Sequence, residues 1–158
     1  MNAKKYLNQM KGIFVVASLA ALFWLYWTIG RTVFSLTDWD IEVREGVKGV
    51  FQWGIVIGYC FFSLCLVAVQ MWFLIRQIRS LKKGIMFDKG CATFIFSWGI
   101  LWFLYDFCST NLGLMYGHQA FDTITIDGTM VGIPMVAITF AILYRMATEI
   151  SEEQSLTI

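Results

Sequence analysis

The chain carries a single proline, a single histidine and few charges, only 15% of its 158 residues. One histidine is too little for a zinc or iron centre, which takes three or four side-chain ligands. The four cysteines, Cys60, Cys65, Cys91 and Cys108, form no C-x-x-C pair. They are expected to pack as small apolar side chains. A disulfide between Cys60 and Cys108 is the alternative, since both fall in the same halves of their helices. No G-x-S-x-G, no H-E-x-x-H and no phosphate-cradling glycine loop occurs. These absences leave no cofactor, no metal and no enzyme class to expect. The shortage of charge excludes an ordinary soluble domain, where about a quarter of residues are charged.

What is abundant is apolar surface. Hydrophobic residues make up 58% of the chain, and the mean hydropathy is +0.66. A helix needs roughly 20 apolar residues to cross about 30 Å of hydrocarbon. Four stretches meet that, over about 12–30, 50–76, 91–116 and 129–148. In lipid each backbone N–H and C=O must be satisfied within its own segment, so each stretch is expected to be a helix. The first follows Lys4, Lys5 and Lys11 as a signal peptide would. Its bulky Phe23-Trp24-Leu25-Tyr26-Trp27 run is unlike a cleavage site, so it is expected to stay. The fold class is therefore all-α, a single polytopic membrane domain of four transmembrane helices.

Orientation follows from the cations. Lys4, Lys5, Lys11, Arg76, Arg79, Lys82, Lys83, Lys89 and Arg145 fall on one side, nine in all, against Arg31, Arg44 and Lys48 on the other. This places both termini and the loop over 77–90 in the cytoplasm, and the loops over 31–49 and 117–128 outside. Trp24, Trp27, Trp53 and Trp72 lie toward helix ends, where indole rings favour the headgroup region. In the outer loops Ile41 and Val43, and then Phe121, Ile124 and Ile126, alternate with polar residues, which points to a small extracytoplasmic β pairing. For the first loop, Thr37 and Asp40 offer a competing capping-box helix.

Two cytoplasmic segments stand out. In 81–88, Leu-Lys-Lys-Gly-Ile-Met-Phe-Asp, Gly84 can take the left-handed conformation that ends a helix. Ile85, Met86 and Phe87 can dip into the interface, and Asp88 can cap the next helix. The flanking cations favour anionic lipid headgroups. The tail over 149–158 turns abruptly acidic at Glu149, Glu152 and Glu153.

The G-x-x-F turn of 84–87 and the Glu-Glu-Gln-Ser-Leu-Thr-Ile ending together resemble the domain-of-unknown-function 2975 family of bacterial four-helix membrane proteins. The likeness spans nearly the whole chain in layout, and the 81–88 and 149–158 segments in motif. It departs at Ser155, where that family has an Asp before Leu-Thr. The resemblance implies a bacterial inner-membrane location. It implies no established activity, but a genetic setting beside a small helix-turn-helix regulator. A membrane partner of that regulator is therefore the expected function, with Arg76, Arg79, Lys82, Lys83, Glu149, Glu152 and Glu153 as contacts. The partners expected are the lipid bilayer, the regulator and a homo-oligomer, with no direct nucleic acid binding.

Asp106 is the one acid inside a span, and a charge there is costly, about 3 kcal/mol or more. Gln52 and the Tyr59 hydroxyl are its expected partners, and Asn111 lies further along the same helix. The alternative function is a small oligomeric transporter or channel subunit using Asp106. Gln70 is expected to hydrogen-bond between helices, and Gly54-x-x-x-Gly58 to allow close helix approach. Pro134 falls early in the fourth helix, where a kink is tolerated. His118, Asp122 and Asp127 make a thin metal set, and the outer acids Asp38, Asp40 and Glu42 lack the spacing of a calcium loop.

Overall fold

The computed structural model describes residues 3–38, 43–85, 87–116 and 123–156. Four α-helices follow in order: α1 Ala3–Asp38, α2 Val47–Lys82, α3 Lys89–Thr110 and α4 Gly128–Leu156. A short 3-10 helix, Asn111–Tyr116, continues α3. All four α-helices are long and apolar enough to cross a membrane.

Three of the helices, α1, α2 and α4, outrun their apolar stretches, whereas α3 ends at Thr110 within its own. With 36 residues each, α1 and α2 extend about 54 Å at 1.5 Å per residue. The hydrocarbon core takes only about 30 Å of that. Polar segments at the ends therefore stay helical beyond the lipid. The loop expected over 77–90 shortens to the turn between Lys82 and Lys89, and the acidic tail is the last two turns of α4 up to Leu156.

Consecutive helices pack on one another, with the closest association between α3 and α4. Lipid-side apolar surface is left open. Only 6% of the apolar window of α1 is buried, against 28% for α2. Val16, Phe23 and Tyr26 stand exposed, which water would not tolerate and acyl chains would. Between α2 and α3 the core holds Ile55, Val56, Tyr59, Cys108 and Leu112. Trp24 of α1 reaches across to Trp102 and Tyr105 of α3, with ring centroids 6.2 and 5.6 Å away.

Small residues set the closest approaches. A Cβ on Gly58 would lie 2.9 Å from the Cys108 sulfur, and one on Gly99 3.0 Å from the Ala137 Cβ. Gly54 faces open space. The Gly54-x-x-x-Gly58 pair is thus split, and its second glycine serves a contact within the chain. Pro134 of α4 sits buried against Gly99, at the α3–α4 seam.

The β pairing expected between the outer loops is not found. Among the described residues none is in a strand, Val43 and 123–127 included. Ile41, Asp40, Glu42, His118, Phe121 and Asp122 lie outside the described residues. Thr37 is inside α1, so it caps no helix in the first loop. The reason the 123–127 alternation makes no strand is local. Asn111 takes both backbone groups of Thr125, its Oδ1 accepting the N–H at 2.8 Å and its Nδ2 donating to the C=O at 2.9 Å. A side chain fills the place of a partner strand. All four cysteines are free thiols, so no Cys60–Cys108 disulfide forms.

Candidate functional site

The densest polar arrangement lies where α2 turns into α3. Gly84 adopts φ +78°. Its N–H donates to the Leu81 carbonyl at 3.1 Å, and the Ile85 N–H donates to the Ser80 carbonyl at 2.9 Å. This pair of bonds is the Schellman ending that glycine makes accessible. Asp88 then caps α3 from an extended backbone, its carboxylate accepting from the Gly90 N–H at 2.9 Å. Both features agree with the sequence reading of Gly84 and Asp88.

That carboxylate does more than cap. It accepts from Nε and Nη2 of Arg76 at 2.8 Å each, and from the Ser80 hydroxyl at 2.9 Å. A bidentate guanidinium–carboxylate pair fixes direction as well as distance. The Arg76 hydrogen bonds hold the Asp88 carboxyl well below the usual carboxylate range against the opposing effect of burial, with Gly90 and Ser80 assisting. The guanidinium also lies over the Phe94 ring, 5.9 Å from its centroid.

From α4, Tyr144 closes the arrangement. Its phenolic oxygen accepts from the Gln77 amide and from the Asp88 backbone N–H. Phe87 packs edge-on to the same ring, with centroids 5.6 Å apart. Arg76, Gln77 and Ser80 from α2, Asp88 from the turn, Gly90 from α3 and Tyr144 from α4 thus form one connected polar knot. The sequence alone does not mark Ser80, Gln77, Gly90 or Tyr144 as members of such a group. Only the Asp-x-Gly spacing at 88–90 offered a signal for any of them.

The remaining charged residues at this end divide. Arg79, Lys82 and Lys83 are exposed and form no ion pair among the described residues. Glu152 pairs with Lys89 at 2.6 Å, and Glu149 with Arg145 at 3.2 Å, both at the surface. Exposed pairs of this kind contribute little to stability, about 0–1 kcal/mol. Glu153 is exposed on the same projecting end of α4. The structure therefore gathers the seven expected contact residues at one end of the helices. It engages Arg76, Glu149, Glu152 and Glu153 in interactions of their own.

At the opposite end the polar residues do not form one site. Gln52 is buried, accepting from the Arg44 N–H at 2.9 Å and donating to the Leu114 carbonyl at 2.7 Å. Asn111 is fully buried and clamps Thr125. Asp106 meets neither Gln52 nor Tyr59. Its carboxylate accepts from Thr129 in the first turn of α4, at 3.0 Å, at the positive end of that helix's dipole. Tyr59 stacks on Tyr105 instead. Gln70 is exposed on an apolar cleft of about 250 Å³ beside Phe73, Phe94 and Trp98, and makes no interhelical hydrogen bond among the described residues. Among the described residues no three His, Cys, Asp or Glu side chains gather where a metal could bind.

Four apolar helices with lipid-compatible outer faces and polar closure at the ends define a multi-pass integral membrane protein. Comparison with known proteins finds no matching family model, no matching curated protein and no matching solved structure.

Proposed function

We propose that this is a non-enzymatic protein of the bacterial inner membrane, with both termini in the cytoplasm, that holds a small helix-turn-helix regulator at the membrane. The observation that carries this reading is the end of α4. It continues as helix past the apolar span and presents Glu149, Glu152 and Glu153 on one arc of its surface, with an exposed Ile150 at the edge of that arc. An acidic surface flanked by an apolar side chain complements the basic face with which a DNA-binding domain meets phosphate. The polar knot supports the reading from below. It fastens α4 to α2 and α3 through Tyr144, so the acidic end projects from a braced base. The resemblance of the 81–88 and 149–158 segments to the domain-of-unknown-function 2975 family supplies the identity of the partner, and the nine-to-three distribution of cations supplies the orientation.

Co-purification in mild detergent with the regulator encoded by the neighbouring gene tests this. Recovery of the regulator with the wild-type chain, and its loss on replacing Glu149, Glu152 and Glu153 by Gln, is the expected result. No recovery, together with unchanged target-gene expression on deletion, would sink the reading. The alternative of a transporter built on Asp106 has no geometric observation in its favour, because that carboxylate is held at a helix terminus by Thr129.

A further inference from the structure

Beside the polar knot a cleft of about 270 Å³ opens on the face of α2, lined by Trp72, Ile75, Arg76, Arg79, Lys83 and Asp88, with Ser80 at its base. Three cations and one carboxylate leave it with a net charge of two positives. The one carboxylate is held by Arg76, Ser80 and Gly90, so it does not reach out to cancel Arg79 or Lys83. Neither of those has an ion-pair partner among the described residues, and both are exposed.

The position of the cleft along α2 matters as much as its charge. Trp53 and Trp72 are both exposed and stand 19 residues apart on this helix, about 28 Å along its axis. That separation matches the roughly 30 Å of a hydrocarbon core with indole rings at its two boundaries. Arg76 then lies about 6 Å beyond the boundary and Arg79 about 10 Å beyond it, at the depth of phospholipid headgroups. Lys83 lies a turn further out, within reach of a side chain that bends back toward the interface. Trp72 at the boundary and Ile75, about 4.5 Å outside it, form the apolar side of the same cleft, leading toward the depth where acyl chains begin.

We propose that this cleft is a binding site for one anionic phospholipid. Its phosphate would lie between Arg79 and Lys83, with Arg76 adding charge from the wall, and its chains would run down past Ile75 and Trp72. Zwitterionic lipids carry a compensating cation that this positively charged cleft disfavours. The Arg76–Asp88 pair plays a positioning part, holding one wall of the cleft in place. Lys82 neighbours the cleft in sequence but does not line it, which separates a built site from diffuse attraction of basic residues to an anionic surface.

The test uses the full-length protein purified in mild detergent, titrated with phosphatidylglycerol and with phosphatidylcholine of the same chains and followed by native mass spectrometry. Wild type is expected to retain one phosphatidylglycerol in preference to phosphatidylcholine. Replacing both Arg79→Gln and Lys83→Gln should weaken phosphatidylglycerol by about 10- to 30-fold, while Lys82→Gln and the charge-keeping Arg79→Lys with Lys83→Arg leave it near wild type. Equal retention of the two lipids by wild type overturns the proposal without any variant. A loss with Lys82→Gln as large as with the double variant overturns it in favour of diffuse charge. Full displacement of the lipid by millimolar inorganic phosphate overturns it in favour of a soluble anion.

Discussion

Arg76 of α2 lies so close over Gly90 of α3 that a Cβ on that glycine would overlap the guanidinium. The same guanidinium is tied to Asp88 by two 2.8 Å hydrogen bonds, so it cannot swing aside without breaking them. Glycine at 90 is required by what crosses it, and not by its own backbone angle. Gly90→Ala should therefore act as a lesion of the Arg76–Asp88 pair. The expected loss is about 1–3 kcal/mol, the scale of a hydrogen bond to a charged group. Thermal unfolding in detergent measures it. Adding Arg76→Ala to Gly90→Ala should cost much less than the sum of the two singles, whereas full additivity would mean that the two residues act separately.

The acid dependence of stability follows from Asp88. Its folded-state pKa is lowered, so its contribution is fully present above the unfolded value of 3.8 and is lost as pH falls below it. Wild-type stability should not change through this group between pH 7 and about pH 5, and should decline below about pH 4. Asp88→Asn should be less stable at neutral pH and should lack that part of the acid decline. Unfolding midpoints measured across this range check both halves. A variant that keeps the full acid limb would assign it to other carboxylates.

Gln52 joins the chain before α2 to the 3-10 helix that follows α3. Its amide satisfies the Arg44 N–H and the Leu114 carbonyl from a fully enclosed position. Gln52→Leu keeps the volume and removes both hydrogen bonds; the Leu114 carbonyl is left buried and unsatisfied, while the Arg44 N–H, on an exposed residue, can turn to water. The expected loss is about 1–3 kcal/mol, the cost of one buried orphan. Gln52→Glu should lose at least as much at neutral pH, because it buries an ionised carboxylate against the Leu114 carbonyl. Unfolding in detergent ranks the three proteins, and equal stability of Gln52→Leu and wild type would contradict the assignment.

The Asn111 clamp predicts a local effect. Asn111→Ala loses both the acceptor for the Thr125 N–H and the donor for the Thr125 carbonyl. Amide hydrogen exchange over 123–127 should therefore be faster in Asn111→Ala than in wild type. Exchange over the 83–88 turn should not change, since it lies at the other end of the helices.

The same contrast explains what the sequence made legible. The four helices follow from composition alone, because lipid imposes one solution on a long apolar run. Gly84 and Asp88 were readable because capping is local chemistry, decided within a few residues of the chain. The partners of Asp106, Gln52, Gln70 and Asn111 were not, because helix rotation decides them. Hydropathy carries little information on rotation when all faces are apolar. Tyr144 could not be paired with Gln77 for the same reason. The outer alternation around Ile124 and Ile126 read as a strand because period-two patterning marks an extended chain. It does not say whether a strand or an asparagine side chain will satisfy it.

On the proposed topology, four spans place the 83–88 turn and the end of α4 on one side of the membrane and the 123–127 segment on the other. Single cysteines in a cysteine-free background, at Lys83→Cys, Ser151→Cys and Thr123→Cys, test it with a membrane-impermeant maleimide applied to intact and then opened cells. Position 123 should label in intact cells once the outer envelope is permeable to the reagent, and 83 and 151 only after the cytoplasmic membrane is breached. Labelling of 83 and 123 from the same side would contradict it.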